Sequence, residues 1–364
     1  MTRIAILGAG AGGSAAAVEL IGKGYEVSLW SRSERTVATY RKAGSVAYVG
    51  VLGEGEVSPR PMTSDLESAL EGADGVLVVL PAVAHEDVAR ALATLGCSVP
   101  IVLNPGGTGG ALLFRRVFLD SDASLPPIAE LSTLTYIARK TEPGRVSVYK
   151  TASSVHAACL PGGRAALDLA RSLFGGVRVQ PNVMSTSLRN INLVLHPPAA
   201  LLSVAWVEAT RGDFLFYAEA MTAGVFRATE AFDAERMALG EALGLELPSF
   251  ADEMMEVGSV DADYFDRGLI RESIARGRAN ATIKAPDSLE HRYYREDLPC
   301  AVLPFAEIAA RCDVATPVAD AILTLGSVVI GDDVRSRGFT ASRLGIQGLD
   351  RSGLLRLVSG RTNG

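Results

Sequence analysis

Cysteine and histidine are scarce in this chain, which has four of each among its 364 residues. The cysteines are scattered, and no two of them form a C-x-x-C pair: they are Cys97, Cys159, Cys300 and Cys312. Closely spaced cysteines are the usual sign of a zinc site or a disulfide framework. The sequence therefore predicts neither, and it assigns no metal ligand.

Long apolar runs and an excess of basic residues are also lacking. The 35 Lys and Arg residues are outnumbered by 41 Asp and Glu residues, so the net charge is −6 and no basic block marks a nucleic-acid surface. The apolar runs are too short to span a membrane, and the first residues lack a signal-peptide pattern. We therefore expect a cytoplasmic protein that binds neither nucleic acid nor membranes.

The composition that is present suits a packed globular protein, with 48% hydrophobic and 21% charged residues. Strand and helix patterns alternate along the first half, which predicts a parallel, doubly wound sheet. Strands are predicted at residues 3–7, 26–30, 75–80, 100–103, 128–131, 146–149 and 177–180, and helices at residues 12–24, 86–95 and 164–173.

The pattern changes near residue 184, beyond which helical spacing dominates and few strand signals remain. The length suits two domains at roughly 100–200 residues each. We predict an α/β fold in which a Rossmann domain, residues 1–184, precedes a mostly α-helical domain, residues 185–364.

A G-x-G-x-x-G motif, formed by Gly8, Gly10 and Gly13, joins the first predicted strand to the first predicted helix. Gly8 allows a tight turn, Gly10 lets the backbone approach a pyrophosphate, and Gly13 lets the helix pack closely on the sheet. The N–H groups at the helix start, including that of Ala11, then face the phosphates. A glycine-rich turn without a ligand is the alternative, but the strand before and the helix after favour a dinucleotide site.

The end of the second predicted strand indicates which dinucleotide binds. A carboxylate about 20 residues after the glycine motif usually binds the ribose 2′-OH of NAD. This sequence has Ser31, Arg32 and Ser33 instead, two hydroxyls and a guanidinium that suit a 2′-phosphate. Arg32 as a solvated loop cation is the competing interpretation. We predict NADP as the cofactor, with NAD as the alternative.

Two further junctions lie at the same predicted edge of the sheet. Pro81 follows the strand at residues 75–80 and is predicted to line the cofactor crevice. His85 is interpreted as a surface histidine at a helix start, with a cofactor contact as the alternative. Asn104 opens a glycine-rich loop after the strand at residues 100–103. We predict that this loop lies near the nicotinamide, and a flexible turn is the alternative.

A carbonyl reduction by hydride needs a proton donor beside the carbonyl oxygen, and histidine suits this role because its pKa is near neutral. His196 precedes Pro197 and Pro198, which predicts a break between helices that faces a cleft. A hydrogen-bonded histidine in the core is an equal alternative. The cluster at residues 286–299 contains arginines, which can bind a substrate carboxylate, and aspartates, which can orient a histidine. A charged surface loop fits its composition as well.

The chain resembles the opine dehydrogenase family, the octopine and nopaline dehydrogenase group, through most of its length. Beyond the glycine motif, the resemblance rests on LNPGGTGG at 103–110, NLVLHPP at 192–198, GDFLFY at 212–217, DAER at 233–236, HRY at 291–293, EDLP at 296–299 and ATPVAD at 315–320. Members of this family condense an amino acid with a 2-oxo acid, using NAD(P)H, and have a Rossmann domain followed by a helical domain. The resemblance therefore implies these two small-molecule substrates and a homodimer.

The resemblance also implies residue roles. His196 matches the family's acid/base histidine, Asp297 matches the carboxylate paired with it, and Arg292 matches the arginine that binds the carboxylate of the oxo acid. One departure is the segment 131–133 (LST), where relatives tend to have Thr-Gln-Thr facing substrate or nicotinamide. This difference leaves the oxo acid, and the reaction itself, open.

Two other functions stay open at this point. One is a reductase of 2-oxo or 3-hydroxy acids that needs no amine. The other is a protein that senses NADP(H) without catalysis, although the set of His196, Arg292 and Asp297 argues against it, because sensing requires no proton donor.

Overall fold

The structure, a computed structural model, describes residues 1–360 except residue 279. Residue 279 and residues 361–364, which the sequence analysis includes in the second domain, lie outside the described residues. Within the described part no single helix is long and apolar enough to cross a membrane. The helices Val183–Leu202 and Val204–Thr210 are long and apolar enough only when taken together, and they are bent by 65° relative to each other.

The described residues form two compact units. The first comprises Met1–Gly106 with Gly110–Thr186, and the second comprises Gly107–Gly109 with the chain from Ser187 onward. The loop of three residues at 107–109 therefore belongs by its contacts to the second unit.

The first unit alternates strands and helices. Its elements are β1 (Arg3–Leu7), α1 (Ala11–Gly22), β2 (Glu26–Trp30), α2 (Glu34–Ala43), β3 (Val46–Gly50), β4 (Gly53–Val57), β5 (Met62–Thr63), α3 (Leu66–Leu70), β6 (Gly75–Val78), α4 (His85–Thr94), β7 (Ile101–Leu103), α5 (Gly110–Asp120), β8 (Ile128–Leu131), β9 (Tyr136–Glu142), β10 (Arg145–Thr151), β11 (Val155–Cys159), α6 (Arg164–Leu173) and β12 (Val177–Val179). The next helix, α7 (Val183–Leu188), contains the division between the units.

Eight strands form the main sheet, in the order β12-β11-β8-β7-β6-β1-β2-β5. Neighbouring strands are parallel except β11, which runs antiparallel to β8. The apolar strands β1 and β6 are almost entirely buried, as expected when both faces of a sheet are covered. The strand order reverses direction between β1 and β6, and in such sheets ligands bind beyond the carboxyl ends of the strands at this point. The predicted doubly wound fold is confirmed.

A second sheet of four strands, in the order β4-β3-β10-β9, belongs to the same unit. The sequence predicts one of its strands, at residues 146–149, and none of the other three. Strand β4 (GEGEV) shows the reason, because glycine and glutamate are both depleted in strands. Its conformation follows from antiparallel pairing with β3 and not from local preference.

His85 begins α4 and is only 1% exposed, so its interpretation as a surface histidine is wrong. Its ring packs edge-on against Phe114, with 5.7 Å between the ring centroids. Within the described residues neither ring nitrogen has a partner at hydrogen-bonding geometry. Burial lowers the pKa of His85 to about 4, against a smaller opposing effect of the Leu80 backbone. The ring is therefore neutral at physiological pH.

We expect the buried neutral His85 to make the protein less stable in acid. In the unfolded chain its pKa returns to about 6.5, so the unfolded state binds the proton first as the pH falls. This residue should therefore lower the free energy of unfolding by about 3 kcal/mol between about pH 6.5 and pH 4. Urea unfolding of the wild type and His85→Leu over this pH range measures the effect. An equal decline in both proteins would contradict this account.

The second unit is helical. Its α-helices are α8 (Asn192–Leu202), α9 (Val204–Thr210), α10 (Ala223–Ala242), α11 (Phe250–Glu256), α12 (Ala262–Asp266), α13 (Ile270–Arg276), α14 (Arg292–Arg295), α15 (Leu303–Arg311), α16 (Pro317–Ile330), α17 (Val334–Arg337) and α18 (Arg351–Ser359). Two π-helices, Phe216–Ala220 and Leu298–Val302, interrupt the series. The helical character predicted for this part of the chain is confirmed.

Buried charged groups hold α10 in place. Arg236 is fully buried, pairs with Asp233 at 2.6 Å and donates to the carbonyl oxygens of Leu188 and Pro248. The carboxylate of Glu235 accepts the N–H groups at the start of α16. These contacts satisfy the charges internally, so the segment 233–236 has a structural role.

Candidate active site

The glycine motif connects β1 to α1 and leaves space where a phosphate would bind. A Cβ added to Gly8, which has φ +126°, would lie 2.1 Å from the Val79 carbonyl oxygen. A Cβ on Gly13 would lie 1.7 Å from the Gly8 carbonyl oxygen. A Cβ on Gly10, by contrast, would meet nothing within 4 Å, and Gly10 provides no side-chain cap for the helix that begins at Ala11. The open space and the uncapped N–H groups fit a pyrophosphate.

The residues predicted to select the cofactor follow β2. The N–H of Gly8 donates to the carbonyl oxygen of Trp30 at 2.9 Å, which places residues 31–33 beside the glycine motif. The side chain of Arg32 is 81% exposed, and a guanidinium nitrogen lies 3.6 Å from a carboxylate oxygen of Asp87. Such an exposed pair is weak, so Arg32 is free to turn toward a phosphate.

The other two predicted cofactor contacts, Pro81 and Asn104, differ in solvent exposure. Pro81 is exposed and lies beyond the carboxyl end of β6, before a short 3₁₀ turn. Asn104 is fully buried: its amide donates to the hydroxyl of Thr135 at 2.9 Å, and its side-chain oxygen accepts the Thr135 N–H at 3.2 Å. The side chain of Asn104 thus anchors the loop internally, and a cofactor contact through it stays a prediction.

His196 lies inside α8, which continues through Pro197 and Pro198. The predicted break between helices at this position is therefore wrong. The prolines remove two backbone N–H donors, but residues 196–200 are all buried, and this packing outweighs the local preference. The histidine is consequently held on a helix, with 6% of its surface exposed.

Both ring nitrogens of His196 are engaged. Nδ1 lies 2.8 Å from Oδ2 of Asp297, and Nε2 lies 2.9 Å from the hydroxyl oxygen of Tyr217. A carboxylate can only accept a hydrogen bond, so Nδ1 carries the proton when the ring is neutral. Nε2 then accepts from Tyr217 and is the atom at which a second proton is bound and released.

Aromatic side chains surround the imidazole. The ring of Tyr293 stacks on that of His196, with 3.9 Å between the centroids and 26° between the planes. Phe216 approaches at 6.2 Å in an edge-on arrangement. These contacts fix the plane of the imidazole, so its two nitrogens keep their directions toward Asp297 and Tyr217.

The segment that contains Asp297 is tied to α8 by a neighbouring residue. The hydroxyl of Tyr294, in α14, donates to the carbonyl oxygen of Ala200 at 2.8 Å. Asp297 is 3% exposed and directly precedes the π-helix Leu298–Val302. A π-helix often marks a functional position, and here it follows the carboxylate that meets His196.

Arg292 begins α14 and lies beside the carboxylates of Glu296 and Asp297. Its Nε lies 3.3 Å from Oε2 of Glu296, and a terminal nitrogen lies 3.9 Å from Oδ1 of Asp297. Burial disfavours the charged form of Arg292, but the negative charges of Glu296 and Asp297 favour it, and the net effect is a raised pKa of Arg292. The side chain is still 53% exposed, so the guanidinium can bind a carboxylate from outside.

The structure thus brings together all three predicted catalytic residues within the second unit, and it adds Tyr217. The segment 212–217 is one of the sequence blocks that carry the family resemblance, but its pattern predicts no role for the tyrosine. The backbone of this segment pairs with residues 283–285: the N–H of Phe216 donates to Ile283 at 2.9 Å. No spacing rule reveals this pairing, which turns Tyr217 toward His196.

Comparison with known proteins yields two family matches. Residues 179–330 match the family described as NAD/NADP octopine/nopaline dehydrogenase, alpha-helical domain. Residues 4–149 match the family described as ketopantoate reductase PanE/ApbA.

Individual relatives cover nearly the whole chain. An opine dehydrogenase of Arthrobacter sp. (strain 1C) is 34% identical over 97% of this chain and 98% of its own length. An octopine dehydrogenase solved in complex with NADH and agmatine has a TM-score of 0.79 at 21% identity, covering 100% of this chain and 99% of its own. A yersinopine dehydrogenase solved with NADP+ bound has a TM-score of 0.74 at 16% identity, covering 99% and 98%. The two structures show that the fold is shared.

Proposed function

The chain belongs to the opine dehydrogenase family, and from this premise we propose that His196, Asp297 and Arg292 carry out its condensation of an amino acid with a 2-oxo acid. As a member of the family it is an NAD(P)H-dependent dehydrogenase that acts on CH–NH bonds. The product is a secondary amine with two carboxylates.

The single observation that supports these roles is the buried pair of His196 and Asp297, with 2.8 Å between Nδ1 and Oδ2. The carboxylate accepts the proton of Nδ1, so it holds the ring in one orientation and one tautomer and leaves Nε2 directed toward Tyr217. A histidine held in this way can donate a proton and take it back at Nε2. A protein that only senses the cofactor has no need of such a pair.

Arg292 provides the second contribution. Its half-exposed guanidinium binds the carboxylate of the 2-oxo acid through charge-assisted hydrogen bonds, and Asp297 lies beside it. Binding at this point holds the adjacent carbonyl near the His196 pair, which is a positioning effect. The amine then adds to the carbonyl carbon, and the oxygen, after two protonations, departs as water.

The proton steps require one group that donates and accepts. Protonated His196 supplies a proton to the carbonyl oxygen during addition, and neutral His196 accepts the proton that the amine releases. The proton taken up in this way is then donated to the hydroxyl group on the former carbonyl carbon, which departs as water. When bound, NAD(P)H supplies the hydride that reduces the resulting C=N carbon.

The cofactor itself is proposed to be NADP. The space at Gly10 and the uncapped start of α1 would accommodate the pyrophosphate, and Ala11, Gly13 and Pro81 follow the carboxyl ends of the neighbouring parallel strands β1 and β6. Arg32, with the hydroxyls of residues 31 and 33, would hold the 2′-phosphate. NAD is the alternative, because nothing in this loop excludes a 2′-hydroxyl.

Arg32→Ala is expected to reduce kcat/KM for NADPH by about 10- to 100-fold and to leave NADH almost unaffected, because one charge-assisted contact is lost. Steady-state kinetics with both cofactors measures the ratio. Arg90→Ala is the control, since Arg90 is an exposed arginine paired with Glu86 on α4. An equal loss with both cofactors, or no loss, would contradict the proposed contact.

The reaction type is tested by its dependence on an amine. We expect oxidation of NADPH only when an amino acid accompanies the 2-oxo acid, in a panel of amino acids against pyruvate and other oxo acids. Oxidation that needs the oxo acid alone would show a simple reductase. Tight cofactor binding without oxidation under any combination would favour the sensing function.

We propose further that residues 1–184 form the cofactor domain and residues 185–364 the substrate domain. A cytoplasmic location and a homodimer also remain proposals. All four cysteines are free thiols, which supports a reducing compartment.

A further inference from the structure

The nitrogen of His196 that must exchange protons with the substrate is occupied. Nε2 lies 2.9 Å from the hydroxyl oxygen of Tyr217, and Nδ1 is held by Asp297. Tyr293 covers one face of the ring, with 3.9 Å between the two ring centroids. A substrate oxygen therefore receives the His196 proton either after displacing Tyr217 or through it.

Several contacts hold Tyr217 where it is. The residue is 5% exposed and lies in the π-helix Phe216–Ala220, whose start is fixed by the hydrogen bond from Phe216 to Ile283. Its hydroxyl is also hydrogen-bonded to that of Tyr293. Displacement would leave this buried hydroxyl without its partners, which costs free energy. Transfer through Tyr217 avoids that cost.

We propose that Tyr217 relays the proton between His196 and the substrate, so that its hydroxyl is the group that touches the reacting oxygen. The Nε2–H bond of the imidazolium breaks as a new O–H bond forms on Tyr217. At the same time the original O–H bond of Tyr217 breaks, and its proton forms an O–H bond with the substrate oxygen. A neutral imidazole and a neutral phenol remain, so protons and charge balance. This inference rests on the proposed role of His196.

The surroundings of Tyr217 favour a relay over a stable tyrosinate. Burial, together with Tyr293 and Asp297, raises the pKa of Tyr217 well above its usual value. The phenol therefore stays protonated between turnovers, and the two transfers occur together. The hydrogen bond to Tyr293 gives the hydroxyl a second partner, which orients it when no substrate is present.

The test compares Tyr217→Phe with variants that carry fluorinated tyrosines at position 217. Tyr217→Phe is expected to slow single-turnover reduction by about 100-fold or more, while the dissociation constant of NADPH is unchanged. Fluorination lowers the pKa of the phenol with little change in shape, so the rate should vary systematically with that acidity. In mixtures of H2O and D2O, the wild-type rate should depend on the deuterium fraction along a curve, because two protons move together. Tyr264→Phe is the control, because the ring of Tyr264 contacts Arg267, directly after α12, and Arg276 at the end of α13.

Two results would overturn the relay. One is a Tyr217→Phe rate within about threefold of the wild type, which would mean direct donation by His196. The other is a slow Tyr217→Phe with fluorotyrosine variants that all match the wild type, which would mean that Tyr217 only positions the ring. If Tyr217→Phe fails to fold, the fluorotyrosine series decides alone. Normal turnover in His196→Gln would instead remove the proposed role of His196, a distinguishable failure.

Discussion

Replacing His196 with glutamine is expected to lower kcat by about 10²- to 10⁴-fold, with the dissociation constant of NADPH unchanged. Glutamine can still hydrogen-bond Asp297, but it cannot hold a proton at the position of Nε2 and release it. The proposed cofactor residues lie in the first unit and His196 lies in the second, so we expect the substitution to leave NADPH binding unchanged. Single-turnover oxidation of NADPH with saturating amino acid and oxo acid measures the loss, and fluorescence titration measures cofactor binding.

Arg292→Gln is the matched control for this experiment, because it changes substrate binding without removing the proton donor. We expect its main effect to be a higher KM for the 2-oxo acid and not for NADPH. Turnover by His196→Gln at the wild-type rate would remove His196 from the mechanism. A loss of NADPH binding in the same variant would mean that the effect on kcat is indirect.

Asp297→Asn is expected to lower kcat by a comparable amount, about 10³-fold or more, although its size and shape hardly change. An asparagine amide can donate to Nδ1, which favours the tautomer with its proton on Nε2, and Nε2 in that tautomer cannot accept a proton. Loss of such an orienting carboxylate costs about 10⁴-fold in hydrolases that use a similar pair. The rate of NADPH oxidation gives the loss, and the ¹⁵N chemical shifts of the His196 ring report the tautomer.

Glu235→Gln controls for the removal of a buried carboxylate elsewhere in the same unit. The carboxylate of Glu235 accepts the N–H groups that begin α16, which is a structural role, so stability should fall while kcat is retained. If Asp297→Asn keeps the wild-type rate, or if the ¹⁵N chemical shifts of its His196 ring match those of the wild type, Asp297 does not orient the ring.

Parts of the fold follow directly from the sequence because local pattern and packing agree. The strand Glu26–Trp30 and the helix Arg164–Leu173 have the predicted bounds, and the glycine motif lies at the predicted junction. Strands such as Gly53–Val57 are not predicted, because partners in another part of the chain determine their conformation. Two prolines after His196 indicated a helix break, yet burial keeps the helix intact.

The candidate site shows a similar division. His196, Arg292 and Asp297 are identified from sequence blocks that resemble a known family, and their residue types suit the chemistry. Tyr217 is not identified, although it is in such a block, because its contact with His196 depends on a π-helix. A π-helix does not follow the 3.6-residue period that sequence analysis uses. The role of its hydroxyl follows from the 2.9 Å between that oxygen and Nε2 of His196.

The most direct measurement follows two labels in one reaction. The protein is incubated with a ¹⁵N-labelled amino acid, an unlabelled 2-oxo acid and NADPH deuterated at the transferable position, and the products are analysed by mass spectrometry. We predict one secondary amine that contains both the ¹⁵N of the amino acid and the deuterium on the carbon derived from the oxo acid. Deuterium found only in a 2-hydroxy acid, with the ¹⁵N left in the unreacted amino acid, would contradict the proposed condensation.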